Sequence, residues 1–166
     1  MSARLQGLAP VVDAGVRVLV LGSFPGAASL QAAQYYAHPR NAFWPVMAGV
    51  LDTPELPDLP YAQRLARLLA GHVGLWDAVA SCEREGSLDT AITAAQASDL
   101  PSLLPRLPAL RAIACNGSKA HQETLRLLRG QDLPLLRLPS TSPAHAGLRL
   151  ADKLQAWEAA LRPLLR

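Results

Sequence analysis

Short apolar segments recur along this chain, with stretches of helical periodicity between them. The first segment, residues 16–21 (VRVLVL), is rich in valine and closed by Gly22, as expected of a buried strand. Comparable segments follow at residues 73–76, 112–115 and 135–138. Apolar residues have helical spacing at residues 61–69, 88–94, 118–128 and 151–161. Because strands that alternate with helices form parallel sheets with both faces covered, the pattern predicts an α/β sandwich.

One domain over residues 1–166 is expected from the length of the chain and from its hydrophobic content of 50%. Two proline-rich segments, residues 52–60 and 98–108, are each followed within a few residues by a renewed apolar pattern. We therefore interpret both segments as ordered loops and not as linkers between domains.

The composition argues against several classes of protein. No apolar run approaches the length of a membrane helix, and the first residues lack the features of a secretion signal, so we expect a cytoplasmic protein that does not enter a membrane. Cys82 and Cys115 are far apart and the histidines are dispersed, which predicts neither a disulfide framework nor a metal site. All but two of the 16 basic residues are arginines, which suit phosphate contacts, although a GC-rich genome has the same effect.

The densest group of polar and aromatic residues lies at residues 35–44 (YYAHPRNAFW), in a chain with only 5% aromatic residues. Such a cluster suits a pocket that stacks a planar base and forms hydrogen bonds with its edge. Pro45 is compatible with a helix only in its first turn, so a helix that continues to Leu51 should begin near Phe43. Asn41 would then lie at the helix N-terminus, where simple capping of the helix is the alternative to a functional role.

Four loops leave the carboxyl ends of the predicted strands, where open α/β sheets bind their ligands. They comprise residues 22–26, 77–84, 116–119 and 139–145. Five segments in or beside these loops, taken in order, resemble the hypoxanthine-DNA glycosylase family of the uracil-DNA glycosylase superfamily. They are GSFPG at residues 22–26, YYAHPRNAFW at 35–44, LWD at 75–77 with SCEREGSLD at 81–89, NG at 116–117 and PSTSPA at 139–144. The resemblance spans residues 16–146, most of the chain.

This resemblance implies the uracil-DNA-glycosylase fold, a three-layer α/β sandwich with a central four-stranded parallel sheet. It also implies a DNA glycosylase of base-excision repair, which cleaves the bond between a deaminated base, notably hypoxanthine, and its deoxyribose. The partner would be DNA that contains a damaged base. We further expect a monomer that needs no cofactor.

The matched positions imply roles for individual residues. In related glycosylases the loop after the first strand carries an aspartate or asparagine that positions the attacking water, but here that position is Phe24. The resemblance moves the catalytic role to Asn41, whose amide could hold the water, the base or both. Phe24 and Phe43 are candidates for stacking on the extruded base, and Ser23 and Asp77 for contacts with its edge. The alternatives are a place in the core for the two aromatic rings, and a helix cap or an arginine partner for Asp77.

The segment at residues 139–145 resembles the second motif of the superfamily, which presses into the minor groove and helps to hold the base out of the stack. Ser140, Ser142 and His145 are therefore expected to contact DNA, together with Arg40. Leu148 or another nearby side chain is a candidate wedge, and the sequence does not decide between them.

Simple hydrolysis is favoured because a Schiff base needs an amine, and Lys119 and Lys153 both lie outside the polar cluster. Three alternatives stay open: a uracil- or mismatch-specific glycosylase, a lesion-recognising DNA-binding protein without catalysis, and an unrelated nucleotide-binding α/β protein. The last is disfavoured because residues 22–26 have neither the lysine of a P-loop nor the glycine spacing of a dinucleotide site.

Overall fold

The structure of the protein is a computed structural model that describes residues 3–166. The strands are β1 (Leu5–Gln6), β2 (Val18–Gly22), β3 (Val73–Asp77), β4 (Val79–Glu83), β5 (Thr93–Ala97), β6 (Ala112–Asn116) and β7 (Leu135–Leu138). The α-helices are α1 (Ala27–Ala32), α2 (Phe43–Val50), α3 (Tyr61–Ala70), α4 (Leu100–Leu103), α5 (Ser118–Leu127) and α6 (Leu150–Leu165). The predicted helix that begins near Phe43 is confirmed.

The four apolar segments of the sequence form one parallel sheet, in the order β3-β2-β6-β7. All five residues of β2 are buried, as expected of a central strand covered on both faces. The last residue of β2, Gly22, is in register with Asp77, the last residue of β3. The parallel arrangement therefore brings the carboxyl ends of these strands to one edge, as predicted for the α/β sandwich.

Two apolar layers cover the sheet, because successive residues of a strand point to opposite faces. Val18 and Val20 belong to a cluster that includes buried residues of α2, α3 and α6. Leu19 and Leu21 belong to a second cluster, which is completed by residues of α4 and α5. The predicted three-layer sandwich with a central four-stranded parallel sheet is confirmed.

A second sheet, antiparallel and ordered β1-β4-β5, was not predicted. The prediction of a helix at residues 88–94 is wrong, since only residues 89–91 form a short 3-10 turn and β5 begins at Thr93. Every residue of β5 is exposed, so no alternation of apolar and polar residues marks it, and its pairing with β4 includes register shifts. The segment 98–108, predicted to be a loop, contains α4 and a 3-10 turn.

Helix α6 packs along α2 and supports the loop that follows β7. Trp157 is fully buried, packs edge-on against Phe43 with ring centroids 6.3 Å apart, and donates its indole N–H to the Pro139 carbonyl at 2.9 Å. No helix within residues 3–166 has the length and apolarity required to cross a membrane.

We expect Trp157→Ala to lower the free energy of unfolding by about 3–5 kcal/mol, because it leaves a large cavity between α2, α6 and the sheet. Gln155→Ala, on the exposed face of the same helix, should change it by less than about 0.5 kcal/mol. Urea unfolding of the two variants checks the difference. Equal stability losses would contradict the central position of Trp157 in the core.

Candidate active site

A cavity of about 550 Å³ opens at the carboxyl edge of the parallel sheet. The last residues of three strands line it: Gly22 of β2, Asp77 of β3 and Asn116 of β6. All four loops that the sequence singled out contribute to its wall. Enzyme pockets that hold a small ligand have volumes of roughly 300–1,000 Å³, so this cavity is of suitable size for a planar base.

Gly22 permits the close approach of Asp77 on the neighbouring strand. A Cβ atom at this position would overlap Oδ1 of Asp77 and come within 3.3 Å of the Tyr36 hydroxyl. The glycine that closes the first strand is therefore required by the shape of the site, and not only by the turn that follows.

Gly22→Ala should displace the Asp77 carboxyl and lower the free energy of unfolding by about 1–3 kcal/mol, because a short carboxyl side chain has little room to move between two paired strands. Gly147→Ala is the matched control, since no atom lies within 4 Å of a Cβ at that position. Thermal melting of both variants tests this. A Gly22 variant as stable as the Gly147 variant would contradict the tight packing.

Asp77 is buried, and its Oδ2 atom has no hydrogen-bond partner among residues 3–166. Burial and, to a lesser extent, the negative charge of Asp89 raise the pKa of Asp77 to about 7. The guanidinium of Arg84 opposes this shift. The site thus contains a carboxyl group that exchanges its proton near neutral pH, in contact with the cavity.

Residues 84–89, here called the rim loop, are fastened to the loop after β2. The guanidinium of Arg84 donates to the Pro25 carbonyl at 2.7 Å, and Arg84 itself is buried. The backbone N–H of Ala27 donates to Ser87 Oγ at 2.9 Å. These contacts hold one border of the cavity in place.

Ser23 and Phe24, two of the predicted base contacts, both line the cavity and are both nearly enclosed. The hydroxyl of Ser23 donates to Asp89 Oδ1 at 2.5 Å, a third bond between the two loops. The ring of Phe24 packs in a small apolar cluster with Val79, and the Arg84 guanidinium lies 5.2 Å from its centroid. Phe24 therefore offers the cavity an apolar surface and no polar group.

The prediction that Phe43 stacks on the base is not supported, because this ring is fully buried and does not line the cavity. Tyr36, in contrast, lines the cavity and stacks on Phe43, with centroids 4.0 Å apart and planes at 20°. Its backbone has φ of 55°, an uncommon conformation for a large residue. Tyr36 belongs to the polar and aromatic cluster at residues 35–44. The sequence does not show which aromatic ring of that cluster lines the cavity, because this depends on the backbone conformation of the turn before α2.

Asn41 lies at the cavity wall, half-buried, just before α2. Its Oδ1 atom accepts the backbone N–H of Phe43, the first of α2, at 2.9 Å, although the N-cap position itself is Ala42. Its Nδ2 atom donates to no atom of residues 3–166, which leaves the amide N–H groups available to a ligand. One side chain can therefore cap the helix and also serve the cavity. The backbone N–H of Ala42 donates to the Thr141 carbonyl at 2.9 Å, and this bond connects the Asn41 segment to the loop after β7.

Asn116, which the sequence analysis did not assign as a site residue, connects three parts of the cavity. Its Nδ2 atom donates to Thr141 Oγ1 at 3.0 Å and to the Tyr36 hydroxyl at 3.3 Å. Its Oδ1 atom accepts the backbone N–H of Thr141 at 2.9 Å. Its position directly after the third apolar segment is the signal that could have identified it.

Three of the four residues predicted to contact DNA line the cavity, and the fourth does not. Ser140, Ser142 and His145 line the cavity on the loop after β7. The Lys153 ammonium donates to the His145 carbonyl at 2.7 Å and fastens this loop to α6. Arg40 is exposed and lies outside the cavity lining.

Lys119 corrects one inference from the sequence, because it does line the cavity. Its Nζ atom forms an ion pair with Glu123 Oε1 at 3.2 Å, one turn along α5. The site therefore does contain an amine, contrary to the prediction from the sequence. Lys153 donates to the loop backbone, as described, and does not line the cavity.

Comparison with known proteins gives consistent matches over nearly the whole chain. The family profile of the uracil DNA glycosylase superfamily matches residues 9–162. A curated hypoxanthine DNA glycosylase of Methanosarcina acetivorans is 35% identical over 157 residues, which cover 95% of this chain and 98% of that protein. The corresponding protein of Methanosarcina barkeri is 32% identical over the same shares.

A solved structure has the same fold. An NMR structure of a candidate uracil DNA glycosylase from Methanosarcina acetivorans superimposes with a TM-score of 0.87 at 34% sequence identity. The match covers 99% of this chain and all of that one.

Proposed function

The chain belongs to the uracil DNA glycosylase superfamily, and we propose that it is a DNA glycosylase that removes deaminated bases, hypoxanthine above all, in base-excision repair. The observation that carries the proposal is the cavity at the carboxyl edge of the sheet, which combines an aromatic face, a buried carboxyl group and an unpaired amide N–H. These are the groups needed to stack a planar base and to read its edge. The names of the two curated relatives support hypoxanthine as the base.

The reaction breaks the bond between C1′ of the sugar and the base nitrogen, and forms a bond between C1′ and a water oxygen. The electron pair of the broken bond leaves with the base, which also takes up a proton. Positive charge develops on the sugar in the transition state, so the site must orient a water and stabilise the departing base. No amine or metal ion takes part in this scheme.

Asn41 is the proposed catalytic residue, because its amide can hold the water or the base without a change in its own charge. Tyr36 is the proposed stacking partner, since its ring lies between the cavity and Phe43. Asp77 and Ser23 are proposed to contact the edge of the base. Phe24 closes the cavity with an apolar surface, which is consistent with a role of Asn41 in place of a residue at that position.

Hydrolysis without a covalent intermediate is supported by the ion pair of Lys119, since an ammonium paired with Glu123 is not a nucleophile. Ser140, Ser142, His145 and Arg40 are proposed to contact DNA beside the cavity. We further propose that the chain acts as one domain, as a monomer, in the cytoplasm, where it would have access to its substrate.

Base release from a panel of oligonucleotides tests the proposed function. Duplexes with a single hypoxanthine, uracil or xanthine are compared with an undamaged duplex at enzyme excess. We expect the fastest release from the hypoxanthine duplex and none from the undamaged one. Faster release of uracil would instead support a uracil- or mismatch-specific enzyme, and binding without release would support a recognition protein.

A further inference from the structure

Leu88, at the centre of the rim loop, has 56% of its surface exposed, more than the other exposed large apolar side chains of residues 3–166. A leucine in this state gains only part of the stabilisation that full burial supplies. The backbone on either side is nevertheless held in place, because Ser87 accepts a backbone N–H and Asp89 accepts the Ser23 hydroxyl. The leucine is thus presented to solvent by a fixed loop.

The position of Leu88 distinguishes it from the other exposed leucines. It lines the cavity, so its exposed side chain lies at the cavity mouth. The other exposed leucines, Leu125, Leu148 and Leu150, do not line the cavity. Leu148, the candidate wedge named from the sequence, lines a separate pocket beside the loop after β7. Across the opening stands the loop after β7, with the proposed DNA contacts Ser140 and Ser142.

The charges of the rim loop exclude a phosphate contact as its main role. Its one basic residue, Arg84, is buried and donates to carbonyl groups of Pro25 and Gly86. Its exposed charged residues, Glu85 and Asp89, are acidic and would repel phosphates. Leu88 is the one exposed apolar side chain of this loop, so an apolar contact of the loop with DNA would be made by Leu88.

We propose that Leu88 is a wedge that packs against the base pair next to the extruded nucleotide and slows the return of that nucleotide to the duplex. This inference rests on the proposed glycosylase function, because a base must leave the stack before it can enter the cavity. Apolar side chains inserted at a base step are an established way to hold a duplex open. Leu88 would act from the side of the cavity opposite to the loop after β7.

Single-turnover base release from duplex and single-stranded oligonucleotides with one deoxyinosine tests this role. Leu88→Ala should lower the rate on the duplex by about tenfold or more, and the rate on the single strand by less than about twofold, because a single strand has no partner base to compete for the nucleotide. Leu88→Met should restore most of the duplex rate. Leu125→Ala is the control and should change neither rate.

Equal losses on both substrates would overturn the wedge, since they would place Leu88 in contact with the base itself. Unchanged rates on both substrates would overturn it as well. Failure of the proposed function has a different signature, because the unaltered protein would then release no base from either substrate. Melting temperatures within the error of the unaltered protein are expected for both alanine variants, as both leucines are exposed.

Discussion

Asn41→Ala should lower the single-turnover rate of base release by about 100- to 1,000-fold, the loss typical when one polar group that stabilises a transition state is removed. The affinity for lesion-containing DNA should change much less, because the loops at the cavity mouth and the aromatic face remain. Rates of release at enzyme excess and dissociation constants from fluorescence anisotropy, measured on the same duplex, separate the two effects.

The capping bond of Asn41 to Phe43 requires its own control. Loss of a helix cap costs about 0.5–2 kcal/mol of stability, and a destabilised protein could lose activity for that reason alone. Asn41→Asp retains an oxygen that can accept the Phe43 N–H but lacks the amide N–H groups. If this variant is as stable as the unaltered protein and still inactive, the amide acts on the substrate. Full activity of Asn41→Asp would show that the amide N–H groups are not required for base release.

Asp77→Asn should stabilise the protein at about pH 8 and have progressively less effect as the pH falls towards 4. The pKa of Asp77 is raised to about 7 in the folded protein, so between about pH 4 and pH 7 the folded state holds a proton that the unfolded state has lost. Stability linked to this group therefore falls as the pH rises through that window and is constant above it. Each pKa unit corresponds to about 1.4 kcal/mol, so the difference at pH 8 should exceed that value.

Urea unfolding of both proteins at a series of pH values measures the effect. A stability difference that does not depend on pH would contradict the buried, proton-exchanging carboxyl. The rate of base release should also depend on the protonation of Asp77. A neutral carboxyl can donate to a carbonyl oxygen of the base as well as accept from a ring N–H, whereas a carboxylate only accepts. We expect release by the unaltered protein to slow above about pH 7, and release by Asp77→Asn to keep its rate there.

The parallel sheet could be predicted because its four strands coincide with the four short apolar segments of the sequence. The antiparallel sheet could not, because Thr93–Ala97 is exposed throughout and is rich in alanine, which carries no strand signal. Residues 98–108 were predicted to form an ordered loop because of their prolines. Pro101 and Pro105 nevertheless lie in the first turn of α4 and of the following 3-10 turn, where proline is tolerated.

In the candidate site, strand ends were easier to predict than side-chain directions. Asp77 lies in the cavity because strand register fixes the edge at which β3 ends. Phe43, expected to stack on the base, lies in the core, whereas Tyr36, whose backbone is left-handed, lines the cavity; the residue types alone do not reveal this backbone conformation. Lys119 was wrongly placed outside the site because it is far from the aromatic cluster in sequence. The first turn of α5 nevertheless brings it to the cavity wall.

Quantification of both products from one deoxyinosine duplex tests the central claim most directly, namely that this cavity hydrolyses the bond between sugar and base by means of an uncharged amide. The unaltered protein at enzyme excess should yield free hypoxanthine and an unbroken abasic strand in equal amounts, and borohydride should trap no adduct with Lys119. Asn41→Ala should yield neither product at a comparable rate. A borohydride-trapped adduct, or equal yields from the Asn41 variant, would contradict the account.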